Sequence, residues 1–439
     1  MNRQVYKNKE AFLEQNAALG AELPYSTHTE IFREKVTIGN KVAPNRICAQ
    51  AMEGCDGTAA GSPDELTLRR YLRFAKGGMG IIWFEATACM EEGRANPRQL
   101  WLHEENVDDF KRIVEQIKET AMAENGYEPL VIMQDTHSGR YSKPHGVAAP
   151  LIAYNNPIFE GENPISSERI VTDEHIDRVK EAIIRCAKLA EQAGFDGVDI
   201  KACHRYLNSE LLSAYTREGK YGGCLENRTR LLRESVEGAI QSCGKDFLVS
   251  SRMNVYDGFP YPYGFGVAQD GGIAFDPSEP IWLIKELEKM GVKLLNITMG
   301  NPYFNPHVNR PFANGGYVPE EHPLMGVSRM LNGTQMLKKA VPDMKFICSG
   351  VSYLGAAAPN VLAGFIENGG FDFGGFGRTI FAYPDFAKDV LKTGEMNPKN
   401  LCICCSKCTE LMRSGSTPGC VIRDDLYAKL YKTMKGTNG

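Results

Sequence analysis

TDEHIDRVKEAIIRCAKLAEQAGFDGVDIKACHRYL, residues 172–207, contains a helix pattern followed at once by a strand pattern. In its first part, apolar residues recur every three or four positions, which predicts one amphipathic helix over 172–194. Thr172 is the predicted N-cap of this helix, and Gly194 marks its end. The apolar run GVDIK (197–201) then predicts a buried strand. The apolar stripe of the helix consists of Ile176, Val179, Ile183, Cys186 and Ala190.

The same alternation of strand and helix repeats along the chain. A second clear helix pattern, EPIWLIKELEKMG, covers residues 279–291. Eight alternating strands favour a closed (β/α)₈ barrel, the TIM barrel of the α/β class, and a doubly wound open sheet remains the alternative. The predicted strands are RICAQA (46–51), GIIWFEA (80–86), LVIMQD (130–135), GVDIK (197–201), FLVSSR (247–252), LLNIT (294–298), FICS (346–349) and FDFGG (371–375).

Three segments that follow predicted strands are long and rich in Gly, Pro, Tyr and Asn. They cover residues 136–171, 253–279 and 299–331. In a barrel such loops lie at the C-terminal face, where active sites are built. Their composition predicts a pocket for a flat organic ligand, and solvent-facing loops without a site are the alternative.

Composition excludes several classes of protein. The chain has 43% hydrophobic and 24% charged residues and a formal net charge of −4, which does not favour a nucleic-acid or membrane-surface partner. No apolar run approaches the roughly 20 residues that span a bilayer, and the N-terminus lacks the apolar core of a signal peptide. These features predict a cytoplasmic protein, whose 13 cysteines are thiols or metal ligands rather than disulfides.

Two glycine-containing turns predict an anion site. Gly350 follows the seventh predicted strand, and Gly377-Arg378 follows the eighth. Backbone N–H groups, a helix start and a guanidinium would converge there on a phosphate. The ends of the last two barrel strands are a recurring phosphate site of this fold. Simple loop closure is the alternative for each turn taken alone.

Polar side chains at the other predicted strand ends are candidates for chemistry. In an extended backbone Lys201 would point away from His204, so a turn must intervene if Lys201, His204 and Tyr206 converge. A structural role is the alternative for each of these side chains. The candidates are Gln134, His137, Lys201, His204, Tyr206 and Arg252.

The segment CICCSKCTELMRSGSTPGC (402–420) concentrates five cysteines in nineteen residues. Cys402, Cys405, Cys408 and Cys420 have the spacing C-x₂-C-x₂-C-x₁₁-C, in which three thiolates of a tight loop and one from a return loop favour an iron–sulfur cluster. A structural zinc site, which more often uses two separate C-x₂-C pairs, is the alternative. Cys404 is left over as a bystander, or it replaces Cys402 or Cys405 in another loop register.

Several motifs together resemble one family. They are NRICAQAM, GGMGIIWFEAT, GFDGVDI with KACHRYL, YGGCLENRTRLL, FGRTIFAYPD and the cysteine segment, within residues 30–425. They resemble the old yellow enzyme-like NADH:flavin oxidoreductases, and among these the iron–sulfur branch of 2,4-dienoyl-CoA reductase, enoate reductase and trimethylamine dehydrogenase. The resemblance implies FMN at the mouth of the barrel and a [4Fe–4S] cluster in a short C-terminal segment.

The resemblance also assigns expected roles. It places Ala51 and Met52 under the isoalloxazine, Ala86 beside it, Gln134 at the pyrimidine edge, Arg252 near N1 and O2, and Gly350, Gly377 and Arg378 at the phosphate. Cys402, Cys405, Cys408 and Cys420 would hold the cluster. The sequence departs from the family where it has Gln50-Ala51-Met52 instead of Ala-Pro-Met, and Lys201 instead of His or Tyr.

The implied reaction is ene-reduction, the transfer of a hydride from reduced FMN to the β-carbon of an activated C=C bond. His204 with Lys201 would stabilise the developing enolate, and Tyr206 would protonate the α-carbon. Expected substrates are enoates, enoyl thioesters and unsaturated ketones or steroids. An amine dehydrogenase, an electron-relay subunit and a zinc-stapled binding barrel are the alternatives.

The expected organisation is an N-terminal extension (1–35), an FMN-binding barrel (36–395) and a [4Fe–4S]-binding segment (396–439). No G-x-G-x-x-G turn opens a βαβ unit, so the FAD- and NAD(P)-binding domains of relatives are expected to be absent. Electrons would then come through the cluster from a redox partner protein, a ferredoxin or a flavoprotein. Direct NAD(P)H binding over the flavin is the alternative, and a homo-oligomer is an assembly that the sequence leaves open.

Overall fold

A computed structural model describes residues 4–436 and confirms the predicted barrel. Eight parallel strands pair in the order β10-β3-β4-β5-β6-β7-β8-β9. A parallel bridge between Ile347 and Phe373 joins the two ends of this order, so the open-sheet alternative is wrong. The barrel strands are β3 (Ile47–Ala49), β4 (Ile81–Ala88), β5 (Leu130–Thr136), β6 (Gly197–Ile200), β7 (Leu248–Asn254), β8 (Leu294–Thr298), β9 (Lys345–Ile347) and β10 (Gly374–Phe376).

Helices surround the barrel and cover its loops. The helix predicted over 172–194 spans Asp173–Gln192, and the Thr172 hydroxyl accepts a hydrogen bond from the His175 N–H at 3.2 Å as the expected N-cap. The helices are α1 (Lys9–Leu19), α2 (Glu65–Lys76), α3 (Val107–Asn125), α4 (Pro157–Glu160), α5 (Asp173–Gln192), α6 (Leu207–Leu212), α7 (Leu225–Arg228), α8 (Arg230–Ser242), α9 (Ser278–Met290), α10 (Pro306–Asn309), α11 (Pro323–Ala340), α12 (Ala358–Glu367), α13 (Arg378–Ala382), α14 (Phe386–Thr393), α15 (Lys407–Arg413) and α16 (Asp425–Met434).

The last strand shows the largest difference from its predicted bounds. It begins at Gly374, three residues after the start of the predicted run FDFGG. Asp372 is used otherwise, because its carboxylate accepts hydrogen bonds from the Lys338 ammonium and the Phe346 N–H, both at 2.9 Å. This pairing ties the segment before β10 to β9 and α11.

The N-terminal end of the barrel is closed by apolar side chains. A hairpin of β1 (Val36–Ile38) and β2 (Lys41–Ala43) packs into the same cluster as Trp83 and Ile132, which are buried. Burial of such side chains contributes about 1.5–3 kcal/mol each. The closed floor leaves the C-terminal mouth as the end where a ligand can enter.

The two terminal segments pack against the barrel. Phe12 of α1 is fully buried, and Asp424 before α16 accepts hydrogen bonds from Arg69 and Arg73 of α2. The first residues of the predicted extension (1–3) and the last of the predicted C-terminal segment (437–439) lie outside the described residues. Within the described part of the chain, no helix has the length and apolarity needed to cross a membrane.

Candidate active site

One cavity with an empty volume of about 1070 Å³ lies at the C-terminal ends of the barrel strands. It brings together every residue that the family resemblance assigns to the flavin and to catalysis, and one of the four predicted cluster ligands, whereas the further candidate His137 does not line it. The position agrees with the general location of active sites in TIM barrels. The predicted residues that line it are Ala51, Met52, Ala86, Gln134, Lys201, His204, Tyr206, Arg252, Gly350, Gly377, Arg378 and Cys408.

A buried carboxylate orients two of these residues from below. Asp199 of β6 accepts hydrogen bonds from the Trp83 indole and from the Gln134 amide nitrogen, both at 2.6 Å, and from the Arg252 backbone N–H. Because Asp199 takes the NH₂ group of Gln134, the amide of Gln134 is held in one orientation. The floor of the barrel thus fixes the polar edge of the cavity.

One end of the cavity, which we call the cationic end, consists of Arg310, Arg378 and Arg413 with Gly350 and Gly377. Arg378 is buried and donates to the Pro311 carbonyl at 2.7 Å, but its Nη1 has no partner, and neither has Nη1 of Arg310. Burial and then neighbouring Arg378 lower the pKa of Arg310 to about 10. Buried guanidinium groups without carboxylates fit a phosphate, which would satisfy these donors.

The opposite end, the catalytic end, is built on a turn after β6. His204 and Arg205 both have left-handed backbones, with φ values of 65° and 60°, and this is the turn that the sequence required. Arg205 is buried and donates to Tyr154 Oη at 2.8 Å, which pins the turn. Gly139 makes room for it, because a Cβ there would lie 2.8 Å from the Leu207 nitrogen.

The turn brings Lys201, His204 and Tyr206 together. The Lys201 ammonium lies 3.7 Å from the centroid of the Tyr206 ring, and the rings of His204 and Tyr206 are 6.5 Å apart. The Tyr206 hydroxyl is 3.0 Å from the hydroxyl of Tyr303. The His204 Nε2 atom is buried without a hydrogen-bond partner and is therefore free to bind a ligand oxygen.

Burial controls the protonation of this group. It lowers the pKa of His204 well below its usual range, with further lowering by Arg252 and Lys201, so His204 is neutral. It also lowers the pKa of Lys201 and raises that of Tyr206. A neutral imidazole and a protonated phenol can both donate hydrogen bonds.

The charged and tyrosine residues of the lining that sequence reasoning missed are Glu53, Tyr303, Arg310 and Arg413. Glu53 directly follows Met52, so its position next to the predicted flavin segment was readable from the sequence. Tyr303 and Arg310 lie in the long loop after β8, where aromatic and basic residues are common. Nothing in the sequence showed which of them would turn inward.

The C-terminal segment forms one wall of the cavity through Cys408, Thr409, Met412 and Arg413. The carbonyl of Cys404 accepts hydrogen bonds from the Ala313 and Asn314 N–H groups at 3.2 and 3.3 Å, which anchors the cysteine loop. No three of the cysteine sulfurs at 402–420, all within the described chain, lie within 4.8 Å of one another.

A His–Glu–His group outside the cavity also has the composition of a metal site. The Glu92 carboxylate lies 2.9 Å from His175 Nε2 and 3.8 Å from His137 Nε2. However, Nδ1 of His137 accepts from the Gly139 N–H, and Nδ1 of His175 faces the Arg178 guanidinium, both at 3.2 Å. Each neutral imidazole must then carry its proton on Nε2, where a metal would bind. The two imidazoles thus flank one carboxylate oxygen, and Glu92 Oε1, His137 Nε2 and His175 Nε2 are all buried without a hydrogen-bond partner.

Residues 30–299 match the model of the NADH:flavin oxidoreductase / NADH oxidase family. The chain belongs to this family. It is a flavin-dependent oxidoreductase, as the sequence predicted, and FMN is the cofactor that the family implies.

The names of individual relatives are consistent with this family. The chain is 28% identical over 391 residues to an NADH oxidase of Thermoanaerobacter brockii, covering 87% of this chain and 53% of that protein. It is 27% identical over 270 residues to an NADPH dehydrogenase of Clostridium acetobutylicum, covering 61% of this chain and 73% of that protein. The chain therefore spans about half the length of the NADH oxidase.

The fold has a solved counterpart. A 2-naphthoyl-CoA reductase in complex with 2-naphthoyl-CoA superimposes with a TM-score of 0.71 at 21% identity, covering 92% of this chain and 58% of that one. At this identity the likeness concerns the fold, and it supports the TIM barrel of this flavin oxidoreductase.

Proposed function

We propose that this flavin oxidoreductase is an ene-reductase that reduces the C=C bond of an unsaturated carbonyl compound. The observation that carries the proposal is that a phenol, a neutral imidazole and an ammonium share one cavity with the residues expected to hold FMN. Enoates, enoyl thioesters and unsaturated ketones or steroids are the substrate classes. Bound FMN supplies hydride chemistry.

The residues of the cavity fit FMN. The phosphate would be held by Arg378, Arg310, Gly350 and Gly377. Both arginines have a buried guanidinium nitrogen without a hydrogen-bond partner, which a phosphate oxygen would satisfy. Gln134, fixed by Asp199, would face the pyrimidine edge. Arg252, whose Nε is buried without a partner, would place positive charge near it and favour the anionic reduced ring. Ala51, Met52 and Ala86 are small or apolar and would pack against the ring.

The catalytic end supplies the proton and the enolate stabilisation. His204 donates from its neutral imidazole to the activating carbonyl oxygen, and the Lys201 ammonium strengthens this interaction as negative charge develops. Tyr206 delivers its phenolic proton to the α-carbon as general acid. The Tyr303 hydroxyl, 3.0 Å from that of Tyr206, orients it and can return a proton to it.

We further propose that Cys402, Cys405, Cys408 and Cys420 hold a [4Fe–4S] cluster in the segment 396–439. The spacing C-x₂-C-x₂-C-x₁₁-C supports such a cluster, since a structural zinc site more often uses two separate C-x₂-C pairs. Because Cys408 lines the cavity, a cluster there would adjoin the flavin and could feed it from a ferredoxin or a flavoprotein. Cys404, buried beside Cys402, keeps its loop in place through its carbonyl.

An amine dehydrogenase is the rival with the same cofactors. The ammonium of Lys201 already lies over the Tyr206 ring, and a second cation at that face would be repelled. Anaerobic spectroscopy separates the two reactions. The ene-reductase predicts that an enone reoxidises the reduced flavin and that amines leave the oxidised flavin unchanged; bleaching by an amine would contradict it.

A further inference from the structure

The cavity contains an acid that the proposed reaction does not use. Of its lining side chains, all in the described part of the chain, Glu53 alone carries a carboxyl group. Six others can be cationic: Lys201, His204, Arg252, Arg310, Arg378 and Arg413. A single carboxyl among cations would be expected to form an ion pair. Yet the hydrogen-bond partners recorded for the Glu53 carboxyl among the described residues are Asn96 and Cys55, neither of which is a cation.

Contacts place Glu53 at the catalytic end and hold its carboxyl in position. Its Oε1 atom accepts a hydrogen bond from the Asn96 amide at 2.8 Å and lies 3.8 Å from the Cys55 thiol. The next residue, Gly54, donates its N–H to Glu85 at 2.7 Å, which fixes the backbone. The carboxyl is thus held by a neutral amide, which leaves it able to gain or lose a proton.

The charges around Glu53 are those of the catalytic group. Burial raises the pKa of Glu53, and Lys201, the Asn96 and Cys55 contacts and Arg70 oppose this rise. Burial is also the main cause that raises the pKa of Tyr303, and Glu53 comes second. For Tyr206, Glu53 follows burial and Tyr303. Glu53 therefore shares one cavity and one electrostatic environment with Lys201, Tyr206 and Tyr303.

The chemistry of the cavity requires a proton that these tyrosines do not supply. A one-electron donor delivers no proton, whereas FMN reduced by two electrons to its anionic form takes up one proton, at N5. That hydrogen later leaves as the hydride to the β-carbon, while Tyr206 protonates the α-carbon. Each alkene thus consumes two electrons and two protons, and Tyr206 accounts for one proton only.

We propose that Glu53 is the acid that gives the flavin its proton when electrons arrive from a one-electron carrier such as an iron–sulfur protein. The carboxyl transfers its proton as the flavin is reduced and takes another from water in the cavity. This assignment rests on the proposed function, because it assumes FMN at this site and a donor other than a hydride.

Reduced methyl viologen, which carries one electron and no proton, tests this assignment in anaerobic stopped-flow on the flavin-loaded protein. Flavin bleaching in the natural protein should slow as the pH rises through the titration of Glu53. In Glu53→Gln the bleaching should be at least tenfold slower and independent of pH, with unchanged flavin content. Glu53→Asp should restore part of the rate. Equal rates and pH profiles in Glu53→Gln and the natural protein would overturn the proposal.

Reoxidation of the reduced flavin by 2-cyclohexenone separates this inference from the proposed function. Failure of the natural protein to reoxidise its reduced flavin with this enone would count against the ene-reductase alone, because the role assigned to Glu53 concerns only the reduction of the flavin. If Glu53→Gln does not retain flavin, Asn96→Ala is the second test. It removes a donor that favours the carboxylate, so the pH midpoint of bleaching should rise, and an unchanged midpoint would contradict the proposal.

Discussion

The two ends of the cavity differ in how their charges are balanced. The cationic end has Arg310, Arg378 and Arg413 without a carboxyl partner in the lining, and buried N–H groups there have no acceptor. The catalytic end mixes Lys201 and Glu53 with the two tyrosines. Uncompensated cations bind an anion that stays in place, whereas an acid and a base whose pKa values are shifted toward each other, as those of Glu53 and Lys201 are, exchange protons. One cavity thus separates cofactor retention from proton chemistry.

The largest effect is expected at the catalytic end. Tyr206→Phe removes the proposed general acid and should lower the rate of flavin reoxidation by an enone by about 10²-fold or more. Flavin content should not change, because Tyr206 is not at the cationic end. Stopped-flow reoxidation and flavin absorbance measure the two quantities. A full rate with every accepted alkene would remove Tyr206 from this role.

The matching change at the cationic end should affect retention of the cofactor. Arg378→Met removes hydrogen bonds to a charged phosphate, about 1.5–3 kcal/mol, and should weaken FMN binding by about 10- to 100-fold. Titration of the apoprotein with FMN measures the dissociation constant. Arg413→Met, at an exposed arginine of the same wall, is the control and should have a smaller effect. Equal losses of FMN affinity in the two variants would contradict the expectation that the buried arginine contributes more to FMN binding than the exposed one.

Deprotonation of Lys201 should make turnover decrease at alkaline pH. Burial, followed by Arg252, lowers the pKa of Lys201 from its ordinary value of 10.5, so the ammonium is lost at a lower pH than in a free lysine. Enolate stabilisation needs the charged form, and turnover should therefore decrease as pH rises through this lowered pKa. Lys201→Met should lower turnover by about tenfold and abolish the decrease of turnover at alkaline pH. A pH–rate profile measures it, with exposed Lys220→Met as the control.

The smallest effect is expected from the second tyrosine. Tyr303→Phe removes one neutral hydrogen bond to Tyr206, about 0.5–1.5 kcal/mol, and should slow reoxidation by about two- to tenfold. The phenol of Tyr206 itself remains. A loss as large as that of Tyr206→Phe would show that the two hydroxyls act as one unit, which single-turnover rates of both variants would reveal.

The fold was largely predictable because its patterns are local. Periodic apolar residues and a Thr172 cap define α5, and β-branched runs define strands that are buried on both faces. The ends of β10 were less predictable, because Asp372 is committed to Lys338 and β9 by contacts between distant parts of the chain. Such contacts leave no local signal.

The site was predictable where its residues lie near the C-terminal end of a strand or directly after it, as do Gln134, Arg252 and Lys201. Glu53 and Tyr303 were not assigned, since a turn and a long loop bring them inward. The position of the cysteine segment against the cavity was also unforeseen, because it depends on the docking of Asp424 on Arg69 and Arg73. The roles of these residues remain predictions.

The most direct test of the whole account is the cofactor content of anaerobically purified protein, with flavin, iron, sulfide and zinc counted per chain. The account predicts one FMN with about four irons and four sulfides, as a cubane cluster requires. Zinc without iron would show that the cysteines form a structural zinc site and that no iron–sulfur cluster carries electrons to the flavin. Absence of flavin from the cavity would contradict the proposed reaction itself.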